Sequence, residues 1–143
     1  PDCPSVWDFT AQAAADSMLN TPPTFSMYLL GLVLDWVVEH GGLEGMAVRN
    51  KAKADLLYSY IDGSGYYSNP VAPHVRSNMN VPFLQAKPEP DKQFVAEAAE
   101  AGLANLAGHR SVGGMRASIY NAMPLEGVQA LVDFMAAFAA KNA

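Results

Sequence analysis

The hydrophobic positions of this chain change period several times, and each change marks an element. Val6, Trp7 and Phe9 open it as irregular or strand-like chain, and a short helical pattern follows over residues 11–18. Asn20-Thr21-Pro22-Pro23-Thr24 interrupts both patterns. Two prolines remove backbone donors, while proline in the first turn of a helix is well tolerated. A helix is therefore predicted from Thr24 to about His40, stopped by Gly41-Gly42. Its apolar residues, among them Phe25, Leu29, Leu32, Val33, Trp36 and Val37, cover nearly the whole circumference. A helix apolar all round must be buried on most sides. This one calls for a partner surface or for domain mass beyond the chain itself.

A second helix is predicted over residues 43–62, with Met46, Leu56, Leu57, Tyr60 and Ile61 on an apolar face and Arg49, Lys51, Lys53 and Asp55 on a charged one. Asp62-Gly63-Ser64-Gly65 ends it. Tyr66 and Tyr67 mark a short strand within residues 65–69, and a proline-containing loop covers 70–73. Residues 76–83 alternate, with Met79, Val81 and Phe83 on one face and Asn78 and Asn80 on the other. Pro82 there points to an edge strand or to the strand's end. After a polar loop at 87–90, Asp91 caps a helix running to about Gly102, with Phe94, Val95, Ala98 and Ala101 inward. Residues 103–106 read as a short strand. Residues 115–120 alternate again, Met115, Ala117 and Ile119 against Arg116, Ser118 and Tyr120. A last helix starts at Pro124 and carries Leu125, Val128, Leu131, Val132, Met135 and Phe138 at helical spacing to about Lys141. The order from about residue 48 onward is helix, strand, strand, helix, strand, strand, helix. It predicts an α/β fold, an α+β two-layer arrangement with helices on one face of a small mixed sheet.

Composition narrows the chemistry. Of 143 residues half are apolar, and nine Lys and Arg against fourteen Asp and Glu give a formal charge of −5. An acidic chain is a poor nucleic-acid binder by phosphate neutralisation. One cysteine, Cys3, excludes an internal disulfide and fits a reducing compartment. The three histidines, His40, His74 and His109, lack metal-ligand spacing, so no metal site is expected. The first 19 residues have no basic segment followed by an apolar one, so they do not read as a signal peptide. The longest apolar run falls short of the roughly 20 residues that span a bilayer, so no membrane partner is expected.

The charge is unevenly placed. No acid occurs between Glu100 and Glu126, a window that holds His109, Arg110 and Arg116 together with Gly108, Gly113 and Gly114. Arginine offers a planar fork that matches a carboxylate or phosphate, and glycine lets backbone approach closely. One reading is an anion-binding loop feeding a strand that carries Arg116. A surface turn with two solvated arginines is equally open on these grounds. Asn20 and Thr21 are first of all helix-capping residues, although donors at a helix N-terminus also hold phosphate.

Three stretches go further. Asn20-Thr21-Pro22-Pro23-Thr24-Phe25, Arg76-Ser77-Asn78-Met79-Asn80-Val81-Pro82-Phe83 and the run from Gly108 through Ala122, followed by Met123-Pro124-Leu125-Glu126-Gly127-Val128, resemble the C-terminal part of the phosphoserine aminotransferases. The resemblance covers nearly the whole chain from Asn20 on. It implies a fold-type-I, pyridoxal-phosphate-dependent homodimer in the cytoplasm. Such an enzyme moves an amino group between glutamate and 3-phosphohydroxypyruvate, giving phosphoserine and 2-oxoglutarate. The pathway implied is serine biosynthesis and, in many bacteria, pyridoxine synthesis.

By the same resemblance, Asn20 and Thr21 reach the cofactor phosphate in the neighbouring subunit. Arg116 holds the substrate α-carboxylate, and His109 with Arg110 binds the substrate phosphate. The family's Schiff-base lysine belongs upstream of the stretch matching Asn20, and none of Lys51, Lys53, Lys87, Lys92 and Lys141 stands in its motif. The expectation is a C-terminal piece: residues 1–48 as the tail of the cofactor-binding large domain with its connecting helix, and 49–143 as the small domain. No pyridoxal phosphate is expected on this piece, and alone it is expected to be inactive. The alternative is a stand-alone small-anion-binding or interaction module.

Overall fold

A computed structural model describes residues 3–86, 91–111 and 113–142. The chain divides into two units, Pro1–Gly42 and Leu43–Ala143.

In the first unit a 3-10 turn, Ser5–Trp7, leads into helix α1, Phe9–Ala14. The strand-like opening is thus helical instead, and the helix starts before residue 11. Asp8 explains the shift, because its carboxylate accepts the backbone N–H groups of Thr10 and Ala11 at 2.9 and 3.4 Å and so nucleates the first turn. Helix α2, Thr24–Glu39, occupies the predicted stretch and has no buried residue. Phe25, Tyr28, Leu30 and Val33 are all more than half exposed.

The second unit is built on helix α3, Gly42–Gly63. Strand β1, Tyr67–Ser68, strand β2, Asn80–Gln85, helix α4, Asp91–Glu100, strand β3, Met115–Ser118, and helix α5, Leu125–Asn142, follow. The sheet order is β1-β2-β3. Both pairings are antiparallel, so the expected mixed sheet is antiparallel throughout the described residues. Val81, Phe83, Met115, Ala117 and Tyr67 face a single core with Leu57 and Ile61 of α3, Phe94 and Ala98 of α4, and Val128, Leu131, Met135 and Phe138 of α5. The arrangement is two-layered, helices on one face and the other face open. Phe94 centres an aromatic cluster, edge-on to Tyr67, Phe83, Phe134 and Phe138 at centroid distances of 5.0–6.1 Å. Among the described residues no helix is long and apolar enough to cross a membrane.

Several local expectations shift for identifiable reasons. Strand β2 begins at Asn80 rather than 76, because Ser77 Oγ accepts the N–H groups of Met79 and Asn80 and holds a turn there. Pro82 lies inside the central strand, not at an edge or an end. Its missing donor faces the side where β1 has already stopped, and there the Asn69 side chain donates to the Pro82 carbonyl. The stretch 103–106 is not a strand. Asn105 takes a left-handed φ of 62°, which breaks extended pairing, and among the described residues an isolated Ala107–Met115 bridge follows it. Ala101 is exposed, and the loop at 87–90 lies outside the described residues. Lys53, expected on the charged face of α3, is completely buried.

Candidate functional site

The acid-free window folds into a closed loop feeding β3. Ala107 bridges to Met115, the Gly108 N–H donates to the Gly114 carbonyl at 2.9 Å, and the Gly113 N–H donates to the His109 carbonyl at 2.8 Å. The Arg116 N–H donates to the Leu106 carbonyl at 2.8 Å, so the loop continues into the strand. The glycines are geometrically required. A Cβ on Gly108 would sit 2.1 Å from the Gly113 carbonyl oxygen. Gly114 has φ +63°, and a Cβ there would lie 2.4 Å from Leu84 Cδ2.

His109 and Arg110 are exposed on this loop. The Ser111 N–H reaches His109 Nδ1 at 3.2 Å, and Ser111 Oγ lies 2.7 Å from the same nitrogen. A backbone N–H can only donate, so Nδ1 is the acceptor and Nε2 carries the proton, with no partner among the described residues. Arg116 stands on the open face of the sheet opposite Pro82, exposed between buried Met115 and Ala117. The structure thus joins all three sequence-predicted anion ligands in one hydrogen-bonded segment. The same open face carries Asn80, whose Oδ1 accepts from Ser118 Oγ and Tyr120 OH, both at 3.2 Å.

Behind β3, Lys53 Nζ donates to the carbonyls of Ile119 and Tyr120 at 3.1 and 2.6 Å, and Asn50 donates to Asn121 at 2.7 Å. Burial, and next the charge of Arg49, lower the Lys53 ammonium below the ordinary lysine value. Lys53 therefore ties α3 to the chain leaving the site. Sequence reasoning missed it, although its spacing carried a signal: Met46, Asn50, Lys53, Leu57 and Ile61 form one buried stripe. A separate apolar cavity of about 340 Å³ beside Leu103, Leu106 and Val128 holds none of the predicted ligands.

Asn20 and Thr21 belong to the other unit. They line an open cavity of about 520 Å³ with Gln12, Asp16, Ser17 and Pro23. It lies before α2, whose N-cap Pro23 supplies no side-chain cap and whose first turn holds no acid. Among the described residues neither side chain is engaged elsewhere, so an amide, a hydroxyl and a helix N-terminus are available together. That donor set fits a phosphate group, with the Asp16 carboxylate the one opposing charge in the lining.

The sequence profile described as Aminotransferase class-V matches residues 2–131. A phosphoserine aminotransferase of Azotobacter vinelandii is 60% identical over 136 residues, 95% of this chain and 38% of that protein. The solved structure of phosphoserine aminotransferase from Bacillus circulans subsp. alkalophilus superposes with a TM-score of 0.93 at 44% identity, covering 99% of this chain and 39% of that one. A pyridoxal-phosphate-bound phosphoserine aminotransferase from Trichomonas vaginalis superposes with a TM-score of 0.86 at 41% identity, covering 94% and 39%. The chain thus spans less than two-fifths of the length of these relatives.

Proposed function

The chain belongs to the class-V aminotransferases, and we propose that it supplies the C-terminal part of a phosphoserine aminotransferase. The reaction is exchange of an amino group between glutamate and 3-phosphohydroxypyruvate, in serine biosynthesis and, in many bacteria, pyridoxine synthesis. The working form is a cytoplasmic homodimer. The observation that carries this reading is the closed loop with His109 and Arg110 running directly into the strand that bears Arg116.

Each residue has a distinct task. The Arg116 fork lies on an open sheet face and binds the α-carboxylate common to both amino acids. His109 Nε2–H and the Arg110 guanidinium hold the substrate phosphate from the loop. Asn20 and Thr21, with the α2 N-terminus, hold the phosphate of pyridoxal phosphate bound in a neighbouring subunit. When bound, that cofactor supplies the electron sink that lets the amino group move. The lysine of the transaminase centre comes from sequence outside this chain. Lys53 is unsuited to that task, since its ammonium is buried and committed to two carbonyls. The domain organisation proposed is a large-domain tail over 1–48 and a small domain over 49–143.

The test compares the full-length protein with the 143-residue chain. Glutamate-dependent formation of phosphoserine is expected from the first and not from the second. Borohydride treatment with pyridoxal phosphate, followed by peptide mapping, is expected to label a lysine outside this chain. A label at one lysine within the 143 residues, with turnover by the short chain, overturns the reading. A full-length protein that binds phosphate without turnover favours the binding-module alternative.

A further inference from the structure

We propose that Asn80 is a second ligand of the substrate α-carboxylate, a neutral donor beside the Arg116 cation. The proposal rests on the transaminase reading of this site. Asn80 pairs with Ser118 and Pro82 pairs with Arg116, so Asn80 and Arg116 are diagonal neighbours across β2 and β3. Both side chains stand on the open face, since the alternating residues Val81, Met115 and Ala117 are the buried ones. Diagonal neighbours of an antiparallel pair lie roughly 7–8 Å apart, within joint reach of one bridging group.

The Asn80 amide is oriented for this task. Two hydroxyls, Ser118 Oγ and Tyr120 OH, converge on its Oδ1 at 3.2 Å each. Among the described residues no protein group takes up Nδ2, so its two donors are left for a ligand. A carboxylate offers about four lone-pair positions, and a bidentate guanidinium fork fills two of them. Asn80 can fill a third without adding charge, which leaves selection of the phosphate to His109 and Arg110. Ser118 and Tyr120 act through Asn80 as positioning residues.

The experiment uses the full-length protein with glutamate and phosphoserine as separate substrates. Asn80→Ala removes the donors. Asn80→Asp keeps the shape and the acceptor for both hydroxyls but sets a negative charge against the ligand. Asn80→Ala is expected to raise KM for both substrates by about tenfold, the loss of one hydrogen bond to a charged group. Asn80→Asp is expected to raise both further, with melting temperature and bound pyridoxal phosphate unchanged. Ser118→Ala combined with Tyr120→Phe is expected to raise both KM values by less than Asn80→Ala. KM values for Asn80→Ala and Asn80→Asp within twofold of the parent, or a rise confined to one substrate, overturn the proposal. Should Asn80→Ala fail to fold, Asn80→Asp alone decides it. A parent protein that turns over neither substrate overturns the functional reading and the proposal with it.

Discussion

A single methyl group at Gly108 tests whether the loop geometry matters. Alanine there would place Cβ 2.1 Å from the Gly113 carbonyl oxygen and 2.6 Å from the Gly114 carbonyl oxygen. Ordinary contact is on the order of 3.5 Å, so relief requires more than 1 Å of movement by rough arithmetic. The obstructing atoms are backbone, so no side-chain rotation supplies it. The cheapest escape separates Gly108 from Gly114 and breaks the 2.9 Å hydrogen bond between them. That costs about 1 kcal/mol, and overpacking strain brings the total to about 1–3 kcal/mol. The cost is local, because Gly108 lies on a loop at the sheet margin that contributes no ring to the aromatic cluster.

Hydrogen exchange reads this directly. In Gly108→Ala, protection of the Gly108 and Gly113 amides is expected to fall by about 5- to 150-fold, the factor equivalent to that opening energy. Amides of α5 near Met135 are expected to change far less. In the full-length protein the same variant is expected to raise KM for phosphoserine more than for glutamate, because His109 and Arg110 are displaced before Arg116 is. Gly63→Ala is the control, since nothing lies within 4 Å of its Cβ position. Unchanged protection at Gly113 together with unchanged KM for phosphoserine would refute the reasoning.

Other expectations follow from the same contacts. In the full-length protein Arg116→Ala is expected to weaken glutamate and phosphoserine alike, whereas His109→Ala with Arg110→Ala is expected to weaken phosphoserine more; equal losses in both variants for both substrates would show the division of roles to be wrong. Phe94→Ala removes the fully buried centre of the aromatic cluster and is expected to cost about 3–5 kcal/mol in urea unfolding followed by circular dichroism. Arg76 makes a bidentate pair with Asp62 at 2.6 and 2.9 Å, and that hydrogen bonding holds the Asp62 carboxyl below its usual range. A lowered carboxylate pKa gives stability that is present above the unfolded value, near 4, and lost as pH falls through the folded one. Arg76→Gln is therefore expected to lose more stability at pH 6 than at pH 2.5, and an equal loss at both would count against the pair.

The elements with strong periodicity were legible in the sequence. α2, α3 and α5 fall where proline, paired glycines and apolar spacing place them. What was not legible depends on side chains that compete with backbone. Asp8 captures two N–H groups and makes a helix where the residues look extended. Ser77 captures two more and delays β2 by four residues relative to the alternating pattern. Asn105 at φ 62° removes a strand that Leu103 and Leu106 had implied. Pro82 inverts the usual rule for a reason that requires the register: its lost donor points to the one side of a central strand that has no partner at that level.

The candidate site divides along the same line. The absence of acid between residues 100 and 126 located it in one dimension, since a loop built to hold anions gains nothing from a carboxylate nearby. Composition left a solvated turn equally open, and the geometry favours the proposed anion loop. A turn that merely displays two arginines has no need of a glycine pressed to 2.1 Å of a neighbouring carbonyl, nor of a second with φ +63° seated against Leu84. Nor does it need a buried ammonium holding the two carbonyls that follow the strand. Removing a buried charge from water is costly unless hydrogen bonds compensate it. Lys53 meets that cost from the first two carbonyls beyond the strand that carries Arg116. The same stretch, through Tyr120, also fixes the amide of Asn80. Constraint from α3 behind the sheet and orientation of donors in front of it thus converge on residues 118–120, where the strand leaves the site.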